Sequence, residues 1–370
     1  MTPIPLSRPP VDHDVKQAVL AVIEAGQCIL GPECRAFEAD LARYVGRRHC
    51  ILTNSATAGL WLALRALGVK SADEILVPSH TAFPTVEAIC FAGATPVFVD
   101  IDAYYTMDAR DAVAKATPRT VGLIPVHLYG QPVDLDAVRE LASRLGVWLL
   151  EDCAQAQGAE WRGKKVGAFA PAAVFSFYPS KNLTVMGDGG AVVTDDDEIA
   201  ARCRRLRDHG RINKDVHSEI GFNLRFNEIQ AAIGRTLLGR LDAMNDHRRR
   251  LAARYDEALV DLPLVLPAQR PGARHVYHLY VVRIDRAHLA CDRATMFAAL
   301  RSEGIGVNVH YIPVHLHPFY RQRFGTGAGL CPVAEEAYES MLTLPLFASM
   351  SPGDVSDVVE AVTKVVAAFR

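Results

Sequence analysis

Short runs that are apolar throughout, each bounded by Pro, Gly, Asn or Asp, recur along the first half of this chain with helix-length stretches between most of them. They lie at Cys50–Thr53, Ile75–Pro78, Thr95–Ile101, Val121–Val126, Val147–Leu150, Ala173–Phe177 and Ala191–Thr194. Runs without an alternating polar face suit strands covered on both sides, the condition of a mostly parallel sheet between helix layers. The fold class is therefore α/β, and in such sheets ligands belong at the strand ends. Between the runs, Thr57–Leu67 puts Leu60, Leu64 and Leu67 on one helical face and stops at Gly68. A second helix is expected from a Thr194 cap, with Asp195, Asp196 and Asp197 in its first turn.

After Asn223 the texture changes. A long helical region is expected from Glu228 through the basic segment Asp246–Arg250 to about Leu259, as a bridge between two units. Beyond it Tyr277–Asp285 and Val307–Ile312 read as strands, Arg293–Gly304 and Asp354–Arg370 as helices. The expected division is a large unit over residues 1–240 and a smaller α+β unit over 241–370.

Half of the 370 residues are hydrophobic, enough for a sizeable core, and the net charge of −2 supplies no basic stripe for nucleic acid or an anionic membrane. Neither a leader pattern nor a membrane-length apolar span is read from the sequence, so a cytoplasmic protein is expected. The eight cysteines have no CxxC spacing and are expected as reduced thiols.

Two segments carry chemistry. Asp152 closes Val147-Trp-Leu-Leu-Glu-Asp152, where a carboxylate near a buried strand end needs a cation or a donor. It could cap a helix starting near Ala154, or face a pyridinium nitrogen, with Gln155 reaching into the same pocket. Lys181 stands between Ser176 and Ser180 on one side and Gly187, Gly189 and Gly190 on the other. Most lysines are surface charges, but one held among hydroxyls and close-approach glycines suits a Schiff base with pyridoxal phosphate (PLP), for which Asp152 would hold the ring nitrogen protonated. The turn Thr53–Gly59, between a strand and a helix, offers free amides for a phosphate and matches neither a Walker loop nor a dinucleotide fingerprint. His310, His315 and His317 lie within eight positions with no acidic or cysteine neighbour, so substrate contact is expected and no metal site.

Taken together these segments resemble the DegT/StrS-type sugar aminotransferases, PLP enzymes of the aspartate aminotransferase fold (fold type I). The resemblance runs from Gly31 to Phe347 through GPECRAFEADLARYVG, TNSATAGLWLALRALG, IPVHLYGQPVDLDAV, EDCAQAQGA, FSFYPSKNLTVMGDGGAVVT, GFNLRFNEIQAAIG and HYIPVHLHPFY in that order. It implies Lys181 as the Schiff-base lysine, Asp152 as the pyridinium partner and Gln155 as the ligand of the ring's phenolic oxygen. Thr57, Ala58 and Ser176 are implied at the phosphate, and Asn223 reaches the phosphate of a neighbouring subunit, hence a homodimer. His310, Tyr311 and His315 are expected at the substrate. Relatives usually carry an aromatic residue over the ring at the position aligned to Ala82; His80 or Phe83 could take over, so that role stays open. Ala56 and Gly59 stand where relatives more often have Gly and Ala. Sugar-dehydrating relatives replace the lysine with histidine, so Lys181 favours transamination. The implied reaction moves an amino group from L-glutamate to a C3 or C4 ketone of a nucleotide-linked deoxysugar. The alternatives are a cyclitol ketone or other small oxo acceptor, or a non-catalytic regulator that senses the cofactor or a sugar nucleotide.

Overall fold

The computed structural model describes residues 3–370. Its main sheet joins β1 (His49–Thr53), β2 (Glu74–Pro78), β3 (Thr95–Val99), β4 (Thr120–Leu123) and β5 (Trp148–Asp152). After a small hairpin, β6 (Glu160–Trp161) and β7 (Lys164–Lys165), it adds β8 (Ala172–Ser176) and β9 (Gly190–Thr194). The order across the sheet is β1-β9-β8-β5-β4-β2-β3. Only β9 runs against the others, antiparallel to both of its neighbours. The remaining six strands share one direction and deliver their carboxyl ends to one edge.

Both faces of the sheet are covered, which is why its strands lack a polar face. Leu52, Leu76, Ala173 and Val193 enter one apolar cluster with Phe37 and Leu41 of α2 (Pro32–Val45), the second helix after α1 (His13–Ala25). Their strand neighbours Ile51, Ile75, Val174 and Val192 point the other way. There they meet Leu60 and Leu64 of α3 (Ala56–Ala66), and α4 (Phe83–Phe91) packs alongside. Full burial of each such leucine contributes roughly 2 kcal/mol. The α3 helix ends as expected, with Gly68 at φ +83° just past its cap. The connections that follow carry α5 (Ala109–Lys115) and α6 (Leu135–Leu145).

Several expected elements are shorter or displaced. Pro125 cannot donate to a ladder, so β4 stops at Leu123 and Val126 makes only an isolated bridge to Asp152. The cap of α7 (Asp197–Arg207) is Asp196, whose carboxylate accepts from the N–H groups of Glu198 and Ile199; Thr194 ends β9, and Asp195 is held by Arg47 at 2.7 Å. The long helical region divides at Gly239–Arg240 into α8 (Glu228–Leu238) and α9 (Leu241–Leu259).

A second sheet, β10 (Leu264–Val265), β12 (Tyr280–Ile284) and β13 (Met341–Leu344), has β12 at its centre and antiparallel neighbours; β11 (Ala273–Arg274) pairs instead with β6. With α9, α10 (Arg293–Ser302) and α13 (Pro352–Ala368) it encloses a third apolar cluster, which Ile4 joins by pairing with Ile305. Tyr277 lies in the left-handed region at φ +46°, so β12 begins only at Tyr280. The expected strand Val307–Ile312 is not one: Asn308 alone bridges Thr343, and the following residues leave the sheet as a strap toward the main sheet. Two short helices, α11 (Pro318–Phe324) and α12 (Pro332–Ser340), complete the chain.

Candidate active site

The shared edge of the parallel strands opens into a cavity of roughly 450 Å³. Ser55, Ala56 and Thr57 enter from the end of β1, Thr81, Ala82 and Thr85 from beyond β2, and Val126 from beyond β4. Asp152 ends β5 and Gln155 follows it, Ser176 ends β8 and Ser180 and Lys181 follow it, and Asp188 and Gly189 precede β9. Gly190 permits this convergence, since a Cβ there would sit 2.5 Å from the Ala56 nitrogen.

Asp152 is 2% exposed. One oxygen accepts from the Ala154 N–H at 2.9 Å, closing a local turn with no helix behind it, and the other accepts from the Thr85 hydroxyl at 2.7 Å. The helix-cap reading of Asp152 is thereby replaced. Burial pushes this carboxyl above its ordinary range, more than the Ala154 and Thr85 donors and the charge of Lys181 pull it back. Thr85 in turn lies 3.0 Å from the Thr81 hydroxyl. For Lys181, burial moves the ammonium down to about 8, with Asp152 opposing the shift. No hydrogen bond enters that balance among the described residues, so the amine is available for a ligand.

At the start of α3, Ala58 gives its N–H to the Ser55 hydroxyl at 3.1 Å and does not line the cavity. The two preceding amides, Ala56 and Thr57, have no upstream carbonyl to bond and belong to residues that do line it. An anion at this helix end is therefore better served by Ala56 and Thr57 than by Ala58. Gln155 is 2% exposed and doubly engaged: its Oε1 accepts from the Tyr129 N–H and its Nε2 donates to the Tyr311 hydroxyl, both at 2.8 Å. Tyr311 and His310 cross the cavity on the strap, which the Tyr129 hydroxyl also holds by donating to the His310 carbonyl.

Two expected residues lie outside this cavity, one of them, Asn223, expected at the phosphate of a neighbouring subunit. His315 has no exposed surface; its ring nitrogens face the Ser79 hydroxyl and, at 2.9 Å, the Glu335 carboxylate, so it braces the strap and cannot reach a substrate in this arrangement. Asn223 is exposed, accepts from Arg225 Nε at 3.0 Å and does not line its own chain's cavity. Neither candidate for covering a ring does either. Phe83 packs edge-on against His317 and Tyr320, and the buried His80 bonds the Tyr129 hydroxyl at 2.6 Å. The rings that do line the cavity are Tyr178, His310 and Tyr311. His127, Glu151 and Cys153 form a buried trio on the far side of β5, but Glu151 is already saturated by His127 and the N–H groups of Gly167, Phe169 and Ala170.

Thr85, Tyr129 and Ser55 were not singled out by sequence reasoning. Thr85 carried a signal, a hydroxyl in a nearly apolar helix four positions after Thr81; Tyr129, which acts through both its N–H and its hydroxyl on partners far away in sequence, left none. Among the described residues, a buried carboxylate without a contacting cation, an amine without a hydrogen bond and a helix start with free amides, all facing one cavity, fit the ring nitrogen, aldehyde and phosphate of PLP.

Residues 9–363 match the DegT/DnrJ/EryC1/StrS aminotransferase family. The dTDP-3-amino-3,4,6-trideoxy-alpha-D-glucose transaminase of Streptomyces venezuelae is 42% identical over 93% of this chain and 90% of its own. The UDP-N-acetyl-3-dehydro-alpha-D-glucosamine 3-aminotransferase of Acidithiobacillus ferrooxidans is 39% identical, covering 96% and 94%. The crystal structure of S. venezuelae DesV with a ketimine intermediate superposes with a TM-score of 0.92 at 40% identity over 98% of both chains. The chain belongs to the DegT/DnrJ/EryC1/StrS aminotransferase family and is a PLP-dependent sugar aminotransferase of fold type I.

Proposed function

We propose that this enzyme takes an amino group from L-glutamate and delivers it to a C3 or C4 ketone of a nucleotide-linked deoxysugar, working as a homodimer. The observation that carries this reading is the convergence of Lys181, Asp152 and the α3 start on one cavity at the carboxyl edge of the sheet. The names of the two relatives, both transaminases of nucleotide-linked sugars, support the acceptor class. An exposed apolar run ending beside Asn223, with Ile220 89% and Phe222 54% exposed, supports a subunit contact at that point. In this reading residues 1–240 hold the cofactor and 241–370 form the smaller unit that contributes the strap.

Lys181 would hold the cofactor through its side-chain amine and, when that amine is free, would take the proton from the substrate's amino-bearing carbon. Its depressed ammonium leaves the free base accessible near neutral pH. Asp152 holds the proton on the ring nitrogen, and Thr85 fixes the carboxylate's direction. Thr57 and Ser176, with the Ala56 amide, hold the phosphate; Gln155 faces the phenolic oxygen, and Asn223 serves the partner's phosphate. When bound, the cofactor supplies a protonated ring as the sink for the electron pair left by proton removal.

Two outcomes are expected. Uptake of PLP by cofactor-free protein speeds up as pH rises through about 8 and levels off above it, followed as growth of visible absorbance, because only the unprotonated Lys181 amine attacks the aldehyde. Thr85→Val keeps the shape but removes a hydrogen bond to a charged carboxylate, so PLP affinity falls about 10-fold in a fluorescence titration.

The reading as a whole is tested by the absorbance spectrum of PLP-loaded protein before and after L-glutamate, followed by candidate acceptors. Loss of the long-wavelength band with glutamate and its return with a nucleotide-linked keto sugar is expected. Return only with a cyclitol ketone would overturn the acceptor class, and no response to glutamate would overturn the donor.

A further inference from the structure

We infer that Tyr311 is a cofactor-contacting residue, its hydroxyl donating to the phenolic oxygen of the PLP ring beside Gln155 and tuning the acidity of the Lys181 linkage. The inference rests on the proposed site, and it moves Tyr311 from the substrate to the cofactor.

The orientation of the Gln155 side chain is fixed by its backbone partner. The Tyr129 backbone N–H can only donate, so the amide atom 2.8 Å from it is the oxygen, and the amide cannot be flipped. Gln155 Nε2 therefore faces Tyr311, and at 2.8 Å the phenol oxygen is the acceptor of that bond. The proton of Tyr311 is left over. No acceptor for it is present among the described residues, and the side chain lines the cavity.

The titratable groups lining the cavity with it are Asp152, Tyr178, Lys181, Asp188 and His310. Burial, first of all, and the nearby Asp152 charge push the phenol up, while the Gln155 bond opposes them, so Tyr311 remains a donor throughout the working range. His310 is fixed through Nδ1 to the Thr343 hydroxyl at 2.8 Å, and burial lowers it to about 4, so it brings no competing charge. A neutral donor beside the Gln155 amide, in the cavity it shares with Asp152 and Lys181, calls for an anionic oxygen. The phenolic oxygen, next to the ring carbon that bears the aldehyde, meets that description.

Donation to that oxygen competes with the proton of the Lys181 linkage for the same lone pairs. With Tyr311 present the linkage holds its proton less tightly. Without the hydroxyl, the proton persists to higher pH, by about one unit for the loss of one hydrogen bond to a charged acceptor.

The test is the pH titration of the visible band of PLP-loaded wild type, Tyr311→Phe and Tyr129→Phe. Tyr311→Phe is expected to raise the midpoint by about one unit while KM for L-glutamate changes less than about 3-fold. Tyr129→Phe loosens the hold on the His310 carbonyl but keeps the donor, so its midpoint stays with wild type. An unchanged midpoint with a KM raised 10-fold or more would return Tyr311 to the substrate and overturn the inference. Equal shifts in both variants would also overturn it, since strap displacement would then be the cause. Absence of any band in wild type would instead remove the proposed site itself.

Discussion

Replacing Lys181 by alanine is expected to lower amino transfer by about 10⁴-fold or more while leaving the protein folded. Both halves of that outcome follow from the same geometry. The amine enters no hydrogen bond among the described residues, so its loss leaves no buried partner unsatisfied and the melting temperature stays close to wild type. The chemistry, by contrast, loses two functions at once: covalent attachment and the base that shifts the proton, the latter alone worth about 10²–10⁴-fold. PLP still binds through the α3 start and Asp152, without covalent attachment. Turnover with L-glutamate and a keto acceptor, measured beside a thermal melt, checks both halves; activity within 10-fold of wild type would remove Lys181 from the mechanism.

Asp152→Asn is expected to slow the glutamate half-reaction by about 10²–10³-fold, the cost of removing one preorganised electrostatic contact from a buried site. The amide retains the shape of the carboxylate. Its oxygen can still accept from the Ala154 N–H, and its nitrogen can donate to the Thr85 hydroxyl, which accepts as well as it donates. Only the charge is lost. The ring nitrogen then has no counter-charge to keep its proton, while the phosphate contacts proposed for Thr57 and Ser176, which both line the cavity, retain part of the cofactor affinity. Stopped-flow measurement of the half-reaction isolates this step from acceptor binding, and a rate within 3-fold of wild type would contradict the role of Asp152.

What could be read from the sequence was what is local in it. Ile51 and Leu52, or Ile75 and Leu76, point to opposite faces of one sheet, and because both faces are covered the runs are uniformly apolar and recognisable. Lys181 and Asp152 stood out because their own neighbours are unusual for a surface lysine or a solvated aspartate. The misplaced residues depend on distant partners instead. His315 is immobilised by Glu335, 20 positions later, and by Ser79, 236 positions earlier, so nothing in Pro-Val-His-Leu-His announces its burial. The strap carrying His310 and Tyr311 resembles a strand in composition, but Tyr129 and Gln155, from the other sheet's loops, take its polar groups in place of a ladder. Ala58 was displaced by a neighbour: Ser55 caps α3 and occupies the amide that the phosphate was expected to use.

The central claim is that Lys181 carries the cofactor. Borohydride reduction of PLP-loaded protein followed by peptide mass mapping tests it most directly, because reduction makes the attachment permanent at whichever amine forms it. The account predicts a single phosphopyridoxyl group, on the peptide containing Lys181. Recovery of that group on another lysine, or on none, would contradict it.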